Sequence, residues 1–383
     1  MIMKSIRNNA KLTSIIAILI LAIVVFVGCN NKNKDTEQKN PLNNEATDSK
    51  PNQDEDSIID ESENDDKENT ANENITEDDN TANVDAEKIN INIAALKGPT
   101  GMGMAKLMED ANEGIGANNY SFTIAGEADQ ISAGLINGDI DIAAVPCNLA
   151  SVLYNRTEGQ IRIAAINTLG VLYIVETGDT ITSVEDLKGK TIYSTGYGTT
   201  PQYTLNYLLS SYGLDPDKDL TIEYKSEATE VAALLENASD AIAMLPQPYV
   251  TTVMMNNDKV RIALDIEKEW VAKNEGSGVV TGVLVVNSQF LDNNPQAVDA
   301  FLTDYQKSAN FANENIETAA DLIEKHGLFK AAVAKKAIPY CNITFIDGPE
   351  MKEKVEAYLN VLFEQNPKAV GGAMPAEDFY YIP

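Results

Sequence analysis

From residue 91 onward, short apolar runs alternate with stretches whose apolar residues recur every three or four positions. Runs of the first kind read as buried strands and those of the second as amphipathic helices. Strands are predicted over residues 91–96, 120–125, 140–145, 161–167 and 172–176, with helices over 102–111, 128–137 and 149–154 between them. A second unit opens at SVEDLKGK. It runs through a strand at 191–194, a helix ending at Tyr212, a strand at 220–224, a helix at 227–237 and a strand at 241–245. Its order repeats the first unit: strand, glycine turn, helix, strand, helix, strand, proline-containing loop. Residues 279–286 read as a strand returning to the first unit, and helices fill 295–313, 316–325, 329–337 and 350–365. The pattern is that of an α/β protein with parallel strands joined by crossover helices.

The N-terminal part lacks this pattern. Lys4, Arg7 and Lys11 precede an aliphatic run, residues 15–27, which ends in Gly28-Cys29. A basic region, an apolar stretch and a small residue before cysteine resemble a bacterial lipobox, which implies lipid on Cys29. Phe26 stands where that motif usually has Leu. The alternative, a transmembrane anchor, has a short run to work with, and either reading puts the remainder outside the cytoplasm. Residues 30–88 carry 19 acidic and 6 basic residues and few apolar ones. Such a segment repels itself and buries no core, so a disordered acidic tether is expected.

Charge and chemistry narrow the rest. Residues 89–383 hold 39 acidic and 20 basic residues, which argues against nucleic acid or an anionic membrane surface as partner. Cys147 and Cys341 recur in similar settings, VPCN and IPYCN; one bridge and two free thiols both remain open. No metal-ligand spacing and no cofactor motif is present, and the single histidine, His326, lies in a helical stretch as a surface or C-cap residue.

The stretch INIAALKGPTGMGMAKLMED, from Ile91, sets a strand, a glycine-rich turn and a helix in the order used to cradle phosphate. A P-loop would need Lys and then Ser or Thr where Met104 and Ala105 stand, and a dinucleotide fingerprint would need glycine at Lys106. What remains is a ligand cup of free backbone N–H groups without a nucleotide signature.

GLINGDIDIAAVPCNLASVLYN, SVEDLKGKTIYSTGYGTTPQYTLNYLL, ALLENASDAIAMLPQPYV and TGVLVVNSQFLDNNPQAVDAFL resemble the solute-binding lipoproteins of ABC importers. Within these the likeness is to the nitrate, sulfonate and taurine class, which includes thiamine-pyrimidine-synthase-like proteins. The resemblance implies a two-lobe type II periplasmic binding protein, the second lobe inserted in the first. Its parts would be a signal peptide (1–28), lipidated Cys29 and tether (29–88), a first lobe in two pieces (89–175 and 279–383) and a second lobe (176–278). It also implies a small-molecule ligand, an ABC permease as partner, a place on the outer face of the cell membrane, and no enzymatic activity. Pyrimidine- and menaquinone-pathway synthases on the same fold are the alternative; the pyrimidine synthases carry a cysteine-rich run and a histidine that this chain lacks.

In open sheets ligands bind beyond the carboxyl ends of the strands, and the loops there supply the candidate binding residues. These are Lys97, Gly98, Thr100, Gly101 and Met102 in the first glycine turn, and Pro146 and Asn148 after the third strand. Gly196, Tyr197, Gly198, Thr199 and Thr200 form the second glycine turn, and Gln247 and Tyr249 follow its last strand. Asn167, Thr168 and Thr281 lie where the chain crosses between lobes. The glycines serve either tight turns or close ligand approach, and the threonines either cap helices or face the ligand. Tyr197, Tyr203 and Tyr249 are candidates for stacking or packing, and Trp270 for a lid or the core. No arginine is present in these loops, which favours a small monoanion or a neutral heteroaromatic ligand over a highly charged anion.

Overall fold

Ile91 and Ile93 are buried between the exposed Asn90 and Asn92, and Ala94 and Ala95 are then buried in succession. This strand, β1 (Asn90–Leu96), seeds the first sheet of the computed structural model, which describes residues 88–274 and 277–383, all in the unit Thr81–Pro383. Cys29 and the acidic tether lie outside the described residues. β1 pairs in parallel with β2 (Asn119–Ala125) and β3 (Ile142–Pro146). β2 lies at the edge and alternates exposed with half-buried positions, whereas interior β3 is buried up to Pro146. β4 (Ile161–Thr168) joins the same sheet. The next five strands, β5 (Leu172–Glu176), β6 (Thr191–Ser194), β7 (Thr221–Tyr224), β8 (Ile242–Pro246) and β9 (Arg261–Asp265), form the second, in the order β7-β6-β8-β5-β9. The chain then returns through β10 (Gly282–Asn287) and β11 (Ile343–Ile346), so that the first sheet reads β11-β4-β10-β3-β1-β2.

The strands joined by crossover helices are parallel, as expected, and each sheet also holds reversed strands. β10 runs antiparallel to β3 and β4, and β5 antiparallel to β8 and β9. The reason is connectivity: β5 is the strand by which the chain enters the second sheet and β10 the one by which it returns. Each sheet thus holds three parallel strands and a reversed fourth, β2-β1-β3-β10 in one and β7-β6-β8-β5 in the other. The two crossings touch, since Thr281 N–H donates to Thr168 O at 3.1 Å. Each also ties to the loop after a parallel strand: Cys147 N–H donates to Thr281 O (3.1 Å) and Gln247 N–H to Val171 O (3.0 Å). The duplication keeps a constant spacing of 100 residues. Helices Ala128–Asn137 and Ala228–Asn237 correspond, as do β3 and β8.

The first glycine turn differs from the expected single helix. Pro99–Met102 and Ala105–Asn112 are separate helical segments. Ser308 enters the break, its hydroxyl accepting from Leu107 N–H (3.0 Å) and donating to Gly103 O (2.6 Å). Gly103 is required there, because a Cβ would lie 2.9 Å from the Tyr305 hydroxyl.

Helices cover both faces of the first sheet. Pro295–Glu314 buries Phe301 and Tyr305 on one side, and Gly348–Gln365 buries Tyr358 and Leu359 on the other. Trp270 is fully buried in the helix Ile266–Lys273, with its ring 4.5 Å from Tyr207 and 5.4 Å from Tyr358. It is a core residue joining the two lobes, which overturns the lid alternative. Cys147 and Cys341 are free and buried, and burial pushes both thiols up.

Candidate functional site

The carboxyl ends of β1, β2 and β3 meet those of β6, β7 and β8 around a cavity of about 430 Å³. That is within the size range of small-molecule sites. The first sheet contributes Leu96 at the end of β1 and Lys97, Gly98, Pro99 and Thr100 after it, residues 126–129 after β2, and Pro146 at the end of β3. The second contributes Thr195, Gly196, Tyr197, Thr199, Thr200 and Pro201 after β6, residues 225–228 after β7, and Pro246 and Tyr249 after β8. Thr168, Val171, Leu172 and Thr281, at or beside the crossings, complete the wall.

Several lining side chains are held by identifiable contacts. Thr100 Oγ1 donates to Leu96 O at 3.1 Å, and Thr199 Oγ1 to Gly196 O at 2.8 Å. Tyr249 is nearly buried and its hydroxyl reaches Lys97 O (3.4 Å) across the two lobes. Burial, with the charge of Glu227 beside it, pushes that phenol up to about 12, so it remains a donor at neutral pH. Lys97 Nζ stands 5.8 Å from the Phe329 ring centroid. Tyr197 is 74% exposed on a loop between two left-handed glycines, Gly196 (φ 74°) and Gly198 (φ 76°), and meets Tyr224 edge-on at 5.3 Å. By contrast, Thr168 and Thr281 Oγ1 are buried against the wall and have no hydrogen-bond partner.

Seven of the candidates read from the sequence, Tyr203 among them, do not line the cavity, and most are occupied elsewhere. Asn148 is fully buried: its Nδ2 donates to Ala369 O (3.0 Å), and its Oδ1 accepts from Thr200 Oγ1 (3.1 Å). Gln247 Oε1 accepts from Thr251 N–H (3.2 Å) and Oγ1 (2.8 Å), fixing the first turn of the helix Tyr249–Asn256. Met102 is core. Gly101 is packed, since a Cβ would lie 2.9 Å from Leu96 O and 3.2 Å from Leu328 Cδ2. Gly198 needs glycine for its positive φ and faces open space. Asn167 is buried behind the wall, beside Gly282. Tyr203 packs on the core rather than lining the cavity. His326 caps the helix Ile316–Lys325, with Nε2 3.2 Å from Glu109 Oε2, away from the cavity.

Sequence reasoning passed over Glu127, Asp129, Lys225 and Glu227, which lie where the helices after β2 and β7 begin. The signal was present as the segments AGEAD and KSEAT, in register at the 100-residue spacing.

Residues 160–319 match the NMT1/THI5 like family. No curated protein matches the chain in sequence. Among solved structures, an ABC transporter protein from Parabacteroides distasonis is 25% identical with a TM-score of 0.62, covering 76% of this chain and 98% of its own. The periplasmic aliphatic sulphonate binding protein SsuA from Escherichia coli is 16% identical (TM-score 0.61, 77% and 92% covered). The periplasmic nitrate-binding protein NrtA from Synechocystis PCC 6803 is 13% identical (TM-score 0.56, 73% and 82% covered). The last two likenesses are of fold. Those two neighbours are a sulphonate-binding and a nitrate-binding protein, the class that the quoted stretches resemble.

Proposed function

We infer that this chain, matched in its middle by the NMT1/THI5 like family and folded like the binding proteins of ABC importers, is the solute-binding component of an ABC import system. The observation that carries the reading is the cavity at the carboxyl ends of both sheets, walled by corresponding loops of two lobes that the chain crosses twice. Such a site captures a small molecule when the lobes close and presents it to a permease. Lobe 1 would comprise residues 89–175 and 279–383, and lobe 2 residues 176–278. Lys97, Gly98, Thr100, Pro146, Thr168, Gly196, Tyr197, Thr199, Thr200, Tyr249 and Thr281 are the sequence candidates that also line the cavity. Lipid on Cys29 would hold the protein at the outer face of the membrane; among the described residues no helix is long and apolar enough to cross one.

Thermal unfolding of the full chain against nitrate, alkanesulfonates, taurine, the thiamine pyrimidine and flavins tests the reading. A ligand at a hundred times its dissociation constant adds about 2.7 kcal/mol of stability. A panel in which no compound raises Tm refutes it. Detergent partition of the wild type against Cys29→Ser tests the anchor, and equal partition of the two refutes it.

A further inference from the structure

We propose that Glu267 is a positioning residue that clamps the two crossings between the lobes to each other, holding them when its carboxyl group is protonated and slackening when it is charged. The use of such a clamp in ligand capture rests on the binding-protein reading above; the clamp itself does not. Glu267 is the second residue of the helix Ile266–Lys273, in the second lobe, and its side chain lies against both crossings. On the first, a Cβ at Gly170 would fall 2.7 Å from Glu267 Cδ and 2.8 Å from its Cβ. On the second, a Cβ at Gly278 would collide with Glu267 Oε1. Neither glycine has a left-handed φ, so what each supplies is room for this side chain rather than a turn. Glu267 Oε2 also accepts from Val279 N–H at 2.9 Å. The first crossing is tied in turn to Asn342 of the first lobe, whose Nδ2 donates to Gly170 O and whose carbonyl accepts from Leu169 N–H at 3.2 Å. One carboxyl group thus packs on both of the segments about which the lobes would turn.

No cation neutralises that group. Glu267 takes part in no ion pair among the described residues. On its own helix Lys268 is exposed, Glu269 accepts from the Tyr212 hydroxyl, and Lys273 Nζ stands 3.9 Å from the Tyr212 ring centroid. The titratable groups that face it from neighbouring elements are Asp265 at the end of β9, Tyr173 on β5 and Tyr358 on the helix Gly348–Gln365, with Tyr340 and Cys341 beside Tyr173. Burial pushes the Tyr173 phenol up to about 12 and also raises Tyr358 and Cys341, so these three stay neutral and Asp265 supplies the facing charge. A charged carboxylate makes the stronger bond to Val279 N–H. Burial nevertheless outweighs that bond and, with Asp265 adding to it, holds the Glu267 carboxyl above its usual range. Release returns the group to water and to its ordinary value. The clamped state therefore binds the proton more tightly than the released one, and loses ground as pH rises.

Hydrogen exchange of the full chain without ligand tests this, read by mass spectrometry on peptides covering residues 278–281. Protection factors remove the intrinsic pH dependence of exchange, and peptides from the helix Pro295–Glu314 serve as the reference. In wild type, protection of 278–281 relative to the reference is expected to fall about threefold or more between about pH 4 and about pH 8. Glu267→Gln keeps the shape and an acceptor for Val279 N–H but cannot ionise, so its protection should stay high and vary less than about 1.5-fold over the same range. Glu267→Ala removes the acceptor and should be poorly protected throughout. Wild-type protection that is flat with pH overturns the proposal whatever the variants do. So does a Glu267→Gln protein that falls as wild type does, a Glu267→Ala protein with the wild-type profile, or a fall shared equally by the reference peptides. Each of these outcomes leaves the binding-protein reading standing, because no ligand takes part. A silent thermal panel, conversely, leaves the clamp standing and removes its role in capture.

Discussion

Asn148 and Thr168 are both buried polar residues at the rear of the cleft, and the structure gives them opposite energetic roles. Asn148 spends its amide on Ala369 O and Thr200 Oγ1, at 3.0 and 3.1 Å, joining the C-terminal segment to the start of a helix in the other lobe. Asn148→Ala removes three hydrogen bonds, the third a 3.4 Å bond from Nδ2 to Gly198 O, and leaves two carbonyls and a hydroxyl without that partner. A typical bond contributes about 1 kcal/mol, and an abandoned buried group costs about 1–3 kcal/mol more. Allowing for partial relaxation, the expected loss is about 2–4 kcal/mol. Thr168 Oγ1 has no bond to lose. Thr168→Val keeps the shape and deletes an unpaired buried hydroxyl, so stability is expected to stay within about 0.5 kcal/mol of wild type or to rise. Equilibrium denaturation in urea reads the stabilities and calorimetric titration the affinities. An Asn148→Ala protein as stable as wild type, or a Thr168→Val protein destabilised by more than about 1 kcal/mol, would show that the division into committed and uncommitted groups is wrong.

The glycine turns should part company in the same assay. Gly101→Val forces side-chain atoms against Leu96 O and Leu328 and should cost about 1–3 kcal/mol as overpacking; equal stability with lost affinity would instead restore it as a ligand-approach residue. Gly198→Ala meets open space but keeps a positive φ, costing about 1 kcal/mol with ligand affinity unchanged; a tenfold loss of affinity would contradict this. Two carboxylates should respond to pH in opposite senses. Burial would lift Glu176, but N–H groups of Ile181 and Thr180, the Thr180 hydroxyl and Arg261 hold it below the usual range. Its contribution is therefore present above the ordinary carboxylate value and is lost as pH falls through the lowered one. Burial raises Glu267 despite the bond from Val279 N–H, and Asp265 adds to the rise. Its contribution is present at low pH and is lost as pH rises through the raised value. Glu176→Gln should lower Tm at pH 7 and Glu267→Gln should raise it, both differences shrinking towards pH 4; differences independent of pH would refute the assignment.

How far the sequence led depended on whether a signal was local. The helix Ala128–Asn137 was legible to the residue, because the chain after Glu127 is periodic and Gly138 ends it in the left-handed conformation. β5 and the helix Ile316–Lys325 were equally plain. β9 and the helix Ile266–Lys273 were missed, since RIALD is short and the mostly polar IEKEWVAK has only Ile266 and Trp270 buried, the latter packing on the opposite lobe. Strand direction was not legible, for no local pattern says that β5 and β10 are the crossings. At the site, position relative to a strand end was readable but the commitments of side chains were not. Pro146 ends β3 and Asn148 sits two residues on, in the first turn of the helix Cys147–Arg156, and only the structure shows that Asn148 is consumed by Ala369 and Thr200.

The duplication that builds the cleft also constrains how it closes. Because equivalent loops from the two lobes form facing walls, any closure of the cleft would bring like residues towards like, including Glu127 towards Glu227. Two glycine turns and two proline loops can meet without penalty, but two carboxylates repel, the more so as water leaves and the local dielectric falls. Contacts join the lobes both in the core and at the cavity wall: Trp270 on Tyr358, Thr204 Oγ1 against the Tyr358 hydroxyl at 2.8 Å, and the Tyr249 hydroxyl on Lys97 O at 3.4 Å. Glu227 also lies against Gly126 of the first lobe, so the lobes meet at the cavity wall as well as through the core.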